Sequence, residues 1–294
     1  MNNNYYCFNL ENDRISFDSS GIDLRSDRGL AYGHGVFETM LYQQSIFPLK
    51  DRHFSRLLTD SSALGIPVPE AALEDAANAF TLEAKRTGFE DGIVKIILTA
   101  GSGGRGYASP EIVNPKLIFS HHSMDEQWIQ RKEDGIKLWR CEHLLSDSRV
   151  LAGVKHLNRL DQVLGASEAR ANGFIDGLMF NSDGYLVEST CANVFLRSKK
   201  HGWITPSIET AGIRGVMRSL LIDEIFPSLD LPLKVIPIEL GTLRDMTELF
   251  ICNSVRGIVP VTGLSDDKTD NLMKIGRETR ILQSTLANLY QGYK

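Results

Sequence analysis

Lys155 occupies a position in the sequence that suits a reactive amine. It lies in LAGVKHLNRLD, residues 151–161, between a flexible Ala-Gly pair and a predicted amphipathic helix. A lysine in such a place can project into a cavity, where its amine serves as a nucleophile or a base. The alternative is a solvated lysine at a helix start, because most lysines lie on protein surfaces.

Two other charged positions could contribute to the same site. Glu188 ends an alternating strand, and the small residues after it (STCA) would let a flat ligand approach the backbone. An edge-strand glutamate is the alternative. Arg52 and Arg56 lie four apart on a predicted helix and share a face, and a guanidinium fork suits a phosphate or a carboxylate. Ordinary surface arginines are the alternative there.

Two segments could hold an anion through their backbone. Residues 211–218 (AGIRGVMR) form a glycine-punctuated helix start, and residues 252–261 (CNSVRGIVPV) place small polar groups just after a strand. The first N–H groups of a helix have no partner within the helix and can bind a phosphate. Many ordinary helices begin in this way, so the pattern is not decisive alone.

The glycine-rich run 101–106 (GSGGRG) matches the G-x-G-x-x-G pattern of dinucleotide sites. That pattern requires a helix immediately afterwards, whereas Pro110 and Pro115 forbid a continuous helix here. We therefore expect a mobile glycine loop beside a site, and a nicotinamide dehydrogenase ranks last among the alternatives.

The elements that would position these residues follow from hydrophobic periodicity. Helical spacing predicts helices over 50–64, 69–87, 157–172, 214–225 and 271–290. Short β-branched or alternating runs predict strands over 92–99, 115–120, 136–141, 176–180, 185–189, 193–196, 233–238 and 249–252. The polar segment 123–134 is predicted to be a linker. The pattern indicates an α+β protein.

Composition narrows the functional class. The 294 residues suit one large domain or two of ordinary size, and a net charge of −5 offers no footprint for nucleic acid or an anionic membrane. The N-terminus lacks a secretory pattern and no apolar run could span a bilayer, so we expect a cytoplasmic protein. The four cysteines lie far apart, which predicts reduced thiols and no metal site.

Taken together and in this order, these segments resemble the class-IV aminotransferases, enzymes of pyridoxal-phosphate (PLP) fold type IV. The resemblance begins at residues 27–39 (DRGLAYGHGVFET) and continues through Arg56, Lys155 and Glu188 to the segment around Ser254. It implies an α+β fold with a smaller N-terminal α/β sandwich domain (1–122), a linker (123–134) and a larger PLP-binding domain with a barrel-like sheet (135–294). It also implies a cofactor between the domains and a homodimer.

The resemblance assigns a role to each matching position. Lys155 would carry the cofactor and then transfer protons, and Glu188 would pair with the pyridine nitrogen. Arg56 would bind the phosphate, helped by Val216, Met217 and Ser254. Thr39 would contact the reacting end of the substrate. Arg105 and Tyr107 on the glycine loop would bind the substrate, Arg105 through a carboxylate.

Within the family, three segments resemble the aminodeoxychorismate lyase branch: residues 104–107 (GRGY), 155–162 (KHLNRLDQ) and 252–261. That branch implies conversion of 4-amino-4-deoxychorismate to 4-aminobenzoate and pyruvate for folate biosynthesis. A transaminase for D-amino or branched-chain amino acids is the alternative. A non-catalytic relative is disfavoured because both Lys155 and Glu188 are present. One departure stands out: a motif that commonly reads Gly-Asp-Gly has His34 at its centre.

Overall fold

The described residues form two sheets, one antiparallel and one with both parallel and antiparallel strand pairs. The computed structural model describes residues 5–11, 14–17, 25–266 and 270–293. One compact unit comprises Met1–Met124 with Lys155–Asn158, and the other comprises Asp125–Val154 with Arg159–Lys294. The short segment that begins at Lys155 therefore folds as part of the first unit.

The first unit is built on an antiparallel sheet in the order β2-β1-β5-β4-β3. Its elements are β1 (Tyr5–Glu11), β2 (Arg14–Phe17), α1 (Arg28–Tyr32), β3 (Gly35–Tyr42), α2 (Lys50–Ala63), α3 (Glu70–Thr87), β4 (Gly92–Thr99) and β5 (Lys116–His122). Strand β5 follows the glycine loop and pairs antiparallel with β4. This is the opposite of the strand-loop-helix arrangement that a dinucleotide site requires, as predicted.

Helix α3 covers one face of this sheet with an apolar stripe. Ala76, Ala77, Phe80 and Ala84 recur at helical spacing and are buried. Phe80 stacks on Phe119 of β5, with ring centroids 5.3 Å apart. The helix ends at Gly88, which adopts the left-handed conformation that glycine tolerates best.

Strand β3 presents two different faces. Successive side chains of a strand point to opposite sides, so Glu38 and Met40 are buried on one side, whereas Phe37 and Thr39 are half-buried on the other. Helix α2 packs on β3 and supplies the partners of Glu38. Strand β3 thus positions Glu38 on one face and Phe37 and Thr39 on the other.

The second unit is built on a barrel-like sheet in the order β11-β10-β9-β13-β14-β6-β7-β8-β12, with β15 beside β14. Its strands are β6 (Ile136–Leu145), β7 (Gly177–Asn181), β8 (Tyr185–Ser189), β9 (Asn193–Ser198), β10 (Gly202–Pro206), β11 (Leu233–Ile236), β12 (Ile238–Glu239), β13 (Met246–Asn253), β14 (Gly257–Ser265) and β15 (Asp270–Leu272). Its helices are α4 (Gln127–Asp134), α5 (Leu160–Ala171), α6 (Val216–Leu220), a π-helical turn (Leu221–Ile225), α7 (Phe226–Ser228), α8 (Arg277–Leu289) and 3₁₀ turns at Leu240–Arg244 and Gln291–Tyr293.

The structure confirms an α+β protein with a barrel-like sheet and differs from the sequence predictions in detail. Most of the expected linker forms α4, whose Trp128 is buried in the core of the second unit. The last helix begins at Arg277 and not at residue 271, because residues 270–272 pair with β14. Among the described residues, no helix is long and apolar enough to cross a membrane.

Candidate active site

The backbone of Lys155 is fastened to the first unit on both sides. Its N–H donates to the carboxylate of Asp60 at 2.8 Å, and its carbonyl accepts from the N–H of Phe37 at 3.0 Å. The next residues continue the attachment, since Leu157 N–H donates to Gly35 O at 3.0 Å. The position from which the lysine side chain starts is therefore fixed by a strand and a helix, which favours precise placement of a reactive amine.

The Lys155 ammonium lies against an aromatic ring. Its Nζ is 4.1 Å from the centroid of Phe37, and Lys95 Nζ of β4 is 5.1 Å from the same centroid. Both are cation–π distances. Two ammonium groups beside one ring make this side of the sheet attractive to an anion.

Behind Phe37, on the other face of β3, Glu38 holds two basic side chains of α2. Its oxygens accept from Arg56 Nε at 2.7 Å and Nη2 at 2.5 Å, and His53 Nδ1 lies 2.6 Å from Oε2. The Glu38 side chain is 1% exposed and that of Arg56 is 9% exposed. The guanidinium is thus held by a bidentate, largely dehydrated ion pair.

Charge states in this cluster follow from its surroundings. Burial raises the pKa of Glu38, but the charges of Arg56 and His53 and their hydrogen bonds outweigh it and lower the pKa to about 2. Burial lowers the pKa of His53, and the neighbouring Glu38 only partly offsets this. At neutral pH the carboxylate is ionised and His53 is neutral, so its Nδ1 donates to Glu38.

Three polar residues on one face of α2 link these parts. His53, Arg56 and Asp60 are spaced i, i+3 and i+7, which places them on a single helical face. The first two contact Glu38 and the third holds the backbone of Lys155. Of these three residues only Arg56 was predicted from the sequence, although the helical spacing that all three share was a signal that could have found His53 and Asp60.

In the second unit, Glu188 is buried, and each of its oxygens accepts a hydrogen bond. Gln162 Nε2 of α5 donates to Oε1 at 3.1 Å, and the backbone N–H of Ile213 donates to Oε2 at 2.9 Å. These bonds fix the plane of the carboxylate. The edge-strand alternative is wrong, because β8 lies between β7 and β12. Gln162, the last residue of the 155–162 segment, is therefore a further site candidate.

The helix start after Glu188 is shaped by glycines. Gly212 has φ +88°, and a Cβ there would lie 3.3 Å from Glu188 Oε2. A Cβ on Gly215, the N-cap of α6, would lie 1.9 Å from Asn193 Oδ1. The side chains of Val216 and Met217 are buried, so the backbone is the part of this turn that suits a ligand.

The other predicted site residues occupy three different settings. Ser254 is buried in the turn after β13, and its carbonyl accepts from Tyr293 Oη at 2.7 Å. Thr39 lies on the same face of β3 as Phe37 and pairs with Lys95 in the sheet register. Arg105 and Tyr107 are exposed on the glycine loop, with Tyr107 at 89% exposure.

A match to a known protein family assigns this chain to a class of enzyme. The amino-transferase class IV family model matches residues 35–264, which include Lys155, Arg56 and Glu188. The chain belongs to the class-IV aminotransferase family.

Relatives of this chain within the family include proteins named as aminodeoxychorismate lyases and proteins named as branched-chain aminotransferases. Aminodeoxychorismate lyase of Vibrio harveyi is 32% identical over 88% of this chain and 94% of its own length. The crystal structure of 4-amino-4-deoxychorismate lyase from Pseudomonas aeruginosa matches with a TM-score of 0.80 and 35% identity, over 90% of this chain and 93% of that chain. A putative branched-chain-amino-acid aminotransferase of Methanocaldococcus jannaschii is 27% identical over 90% of this chain and 89% of its own length.

Proposed function

We propose that this protein is a PLP-dependent lyase that converts 4-amino-4-deoxychorismate to 4-aminobenzoate and pyruvate. The observation that carries the proposal is the anchored Lys155, whose amine lies beside an aromatic ring and whose backbone is held by Asp60 and Phe37. The two lyase relatives, each matched over most of the chain, support this reaction above others.

The chemistry of the donor groups fits PLP. An amine suits its aldehyde, a buried carboxylate suits its ring nitrogen, and a guanidinium suits its phosphate. The close approach of backbone at Gly212 and Gly215, where a Cβ would collide with Val187 or Asn193, suits a flat ligand and its phosphate. We assign Lys155, Glu188 and Arg56 to these parts, with Val216, Met217 and Ser254 completing the phosphate contacts.

When bound, PLP supplies an electron sink for the carbon that bears the substrate amine. Lys155 Nζ would hold the cofactor through its aldehyde, and the Lys155 amine would take the proton from that carbon. Glu188, its plane fixed by Gln162 and Ile213, would keep the ring nitrogen protonated.

The bond changes balance without any other reactant. The ring carbon next to the amine-bearing carbon loses its C–O bond to the enolpyruvyl group, and the ring becomes aromatic. The proton taken from the ring is matched by one that the leaving enolate gains at its methylene carbon, which gives pyruvate. Aromatisation makes this elimination strongly downhill.

Substrate recognition falls to Thr39, Arg105 and Tyr107 in this proposal. Thr39 shares its strand face with Phe37, the ring beside Lys155. Arg105 is an exposed cation on the glycine loop, and the substrate carries two carboxylates. An unchanged KM for aminodeoxychorismate in Arg105→Ala would remove that assignment.

A class-IV transaminase is the second candidate, favoured by the branched-chain relative. The two are separated by giving the PLP-loaded enzyme, in parallel, enzymatically generated aminodeoxychorismate and an amino-acid donor without keto acid. The lyase releases pyruvate and 4-aminobenzoate in equal amounts, and its cofactor keeps its aldehyde form with the amino acid. Conversion to pyridoxamine phosphate without pyruvate release in the first reaction would establish the transaminase.

We further propose that the protein is a cytoplasmic homodimer, as the family resemblance implies. Light scattering of the PLP-loaded protein should give twice the chain mass of 32.8 kDa. A single-chain mass at micromolar concentration would exclude the dimer.

A further inference from the structure

Arg28 joins the start of α1 to the glycine loop. The side chain is buried, and its guanidinium donates to three loop carbonyls: Gly103 O at 3.1 Å, Gly106 O at 3.4 Å and Tyr107 O at 2.8 Å. Its backbone N–H also donates to Gly101 O at 2.8 Å. The loop that the sequence predicts to be mobile is therefore bound at four carbonyls by one residue.

His34 accepts a further hydrogen bond from the Arg28 side chain. Arg28 Nε lies 3.2 Å from His34 Nδ1, and His34 Nε2 lies 2.9 Å from the carbonyl of Leu64. A guanidinium N–H can only donate and a carbonyl can only accept, so the ring carries its proton on Nε2 and accepts at Nδ1. Neutral His34 in this tautomer satisfies both neighbours at once.

The loop itself is shaped to receive the guanidinium. Gly104 has φ +76°, and a Cβ there would lie 2.4 Å from Ala108 O and 3.0 Å from Arg28 Nη1. The aromatic rings of Tyr32 and Tyr107 meet at 5.4 Å, and the Arg28 guanidinium lies 5.0 Å from the Tyr32 ring centroid. Contacts on both sides of Arg105 thus fix the loop, although Arg105 itself is exposed.

We propose that Arg28 and His34 are positioning residues that hold the 103–107 loop in the shape that presents Arg105 to a substrate carboxylate. This inference rests on the proposed function for the identity of the substrate. Ordering a loop costs conformational entropy, and a loop that is already ordered binds its ligand without that cost. Weakening the contacts of Arg28 and His34 that hold this loop, here called the clamp, should therefore raise KM more than it lowers kcat.

Two variants of His34 each remove one of its two hydrogen bonds. In His34→Asn, the amide oxygen occupies the place of Nδ1 and still accepts from Arg28, whereas the bond to Leu64 is lost. In His34→Gln, the longer amide reaches toward Leu64 and the acceptor for Arg28 is lost. The pair is a matched control, because both variants are neutral and each keeps one contact.

The experiment measures hydrogen exchange of the peptide spanning 101–109 and steady-state kinetics, both with PLP-loaded full-length protein. We expect His34→Gln to exchange faster in this peptide and to raise KM about 5- to 20-fold with kcat within about twofold, while His34→Asn resembles the wild type. Equal exchange in the two variants would overturn the clamp. Faster exchange in His34→Gln with an unchanged KM would overturn its role in substrate binding. Absence of pyruvate release from the wild type would instead refute the proposed function, and hydrogen exchange would still decide the clamp.

Discussion

Glu38 and Arg56 form a bidentate ion pair that is almost entirely removed from water, with Nε and Nη2 of the arginine at 2.7 and 2.5 Å from the two carboxylate oxygens. The pair joins β3 to α2, and the residue before Glu38 is Phe37, which lies against Lys155. The proposed phosphate-binding arginine and the proposed cofactor lysine are thus held by consecutive residues of one strand.

Removing the carboxylate charge should destabilise the first unit. Glu38→Gln removes the charge of the carboxylate that binds the buried Arg56 guanidinium at two atoms, which costs about 3–5 kcal/mol. Chemical denaturation measures the change. Glu83→Gln is the matched control: Glu83 pairs with Arg86 at 2.8 and 2.5 Å, but on a helix surface where water screens the two charges, so its loss should change stability little. Equal effects of the two substitutions would show that burial of the Glu38 pair contributes nothing.

Acid should weaken the fold through the same carboxylate. The folded-state pKa of Glu38 is lowered from 4.5 to about 2, so its stabilisation is present above pH 4.5 and is lost as the pH falls toward 2. The loss is on the order of 3 kcal/mol. The pKa of His53 is also lowered, so its contribution likewise falls on acidification, beginning at higher pH. Denaturation midpoints across this range should fall less steeply in Glu38→Gln than in the wild type, and parallel curves would contradict the assignment.

Arg56 should matter for the phosphate of PLP and not for its ring. Arg56→Gln is expected to weaken PLP binding about 10- to 100-fold, the loss of a charge-assisted contact, while leaving the binding of pyridoxal, which lacks the phosphate, nearly unchanged. Arg52→Gln, one turn earlier on α2, serves as the control. A loss of equal size for PLP and pyridoxal would show that Arg56 acts on the fold of the site instead of the phosphate.

Glu188 should act on rate more than on cofactor retention. Glu188→Gln keeps one acceptor oxygen, which suits the N–H of Ile213, and its NH2 group can donate to Gln162 once the Gln162 amide is turned over. It cannot hold the ring nitrogen protonated, and we expect kcat to fall about 10²- to 10³-fold. Cofactor content, measured by absorption after gel filtration, should stay near that of the wild type. A kcat near the wild-type value would refute the pairing with the pyridine nitrogen.

The sequence predicted local elements better than the contacts that build the site. Helices α2 and α3 and strands β4 and β8 lie within a residue or two of their predicted bounds, because each carries a simple periodic pattern. Strand β14 was missed because Pro260 and two glycines interrupt its apolar run. Strand β3 was missed because Glu38 breaks its apolar run, and that glutamate is buried with Arg56 as its counter-ion and His53 as a hydrogen-bond donor.

In the candidate site, too, single residues were predicted but the contacts between distant residues were not. Lys155, Arg56 and Glu188 were selected by motif, whereas their supports, Asp60, Glu38 and Gln162, are 95, 18 and 26 positions away in the chain. Nothing in local composition indicates which distant polar groups meet. His34 is the clearest case, since its departure from the common motif was visible and its hydrogen bond to Arg28 was not.

The most direct test of the account compares product release by the PLP-loaded wild type, Lys155→Ala and Lys85→Ala, the last being an exposed lysine of α3. Each is given enzymatically generated aminodeoxychorismate, and pyruvate and 4-aminobenzoate are both quantified. We predict equal amounts of the two products from the wild type and from Lys85→Ala, and a rate lower by about 10²- to 10⁴-fold in Lys155→Ala. Release of both products by Lys155→Ala at the wild-type rate would contradict the assignment of Lys155 to this reaction.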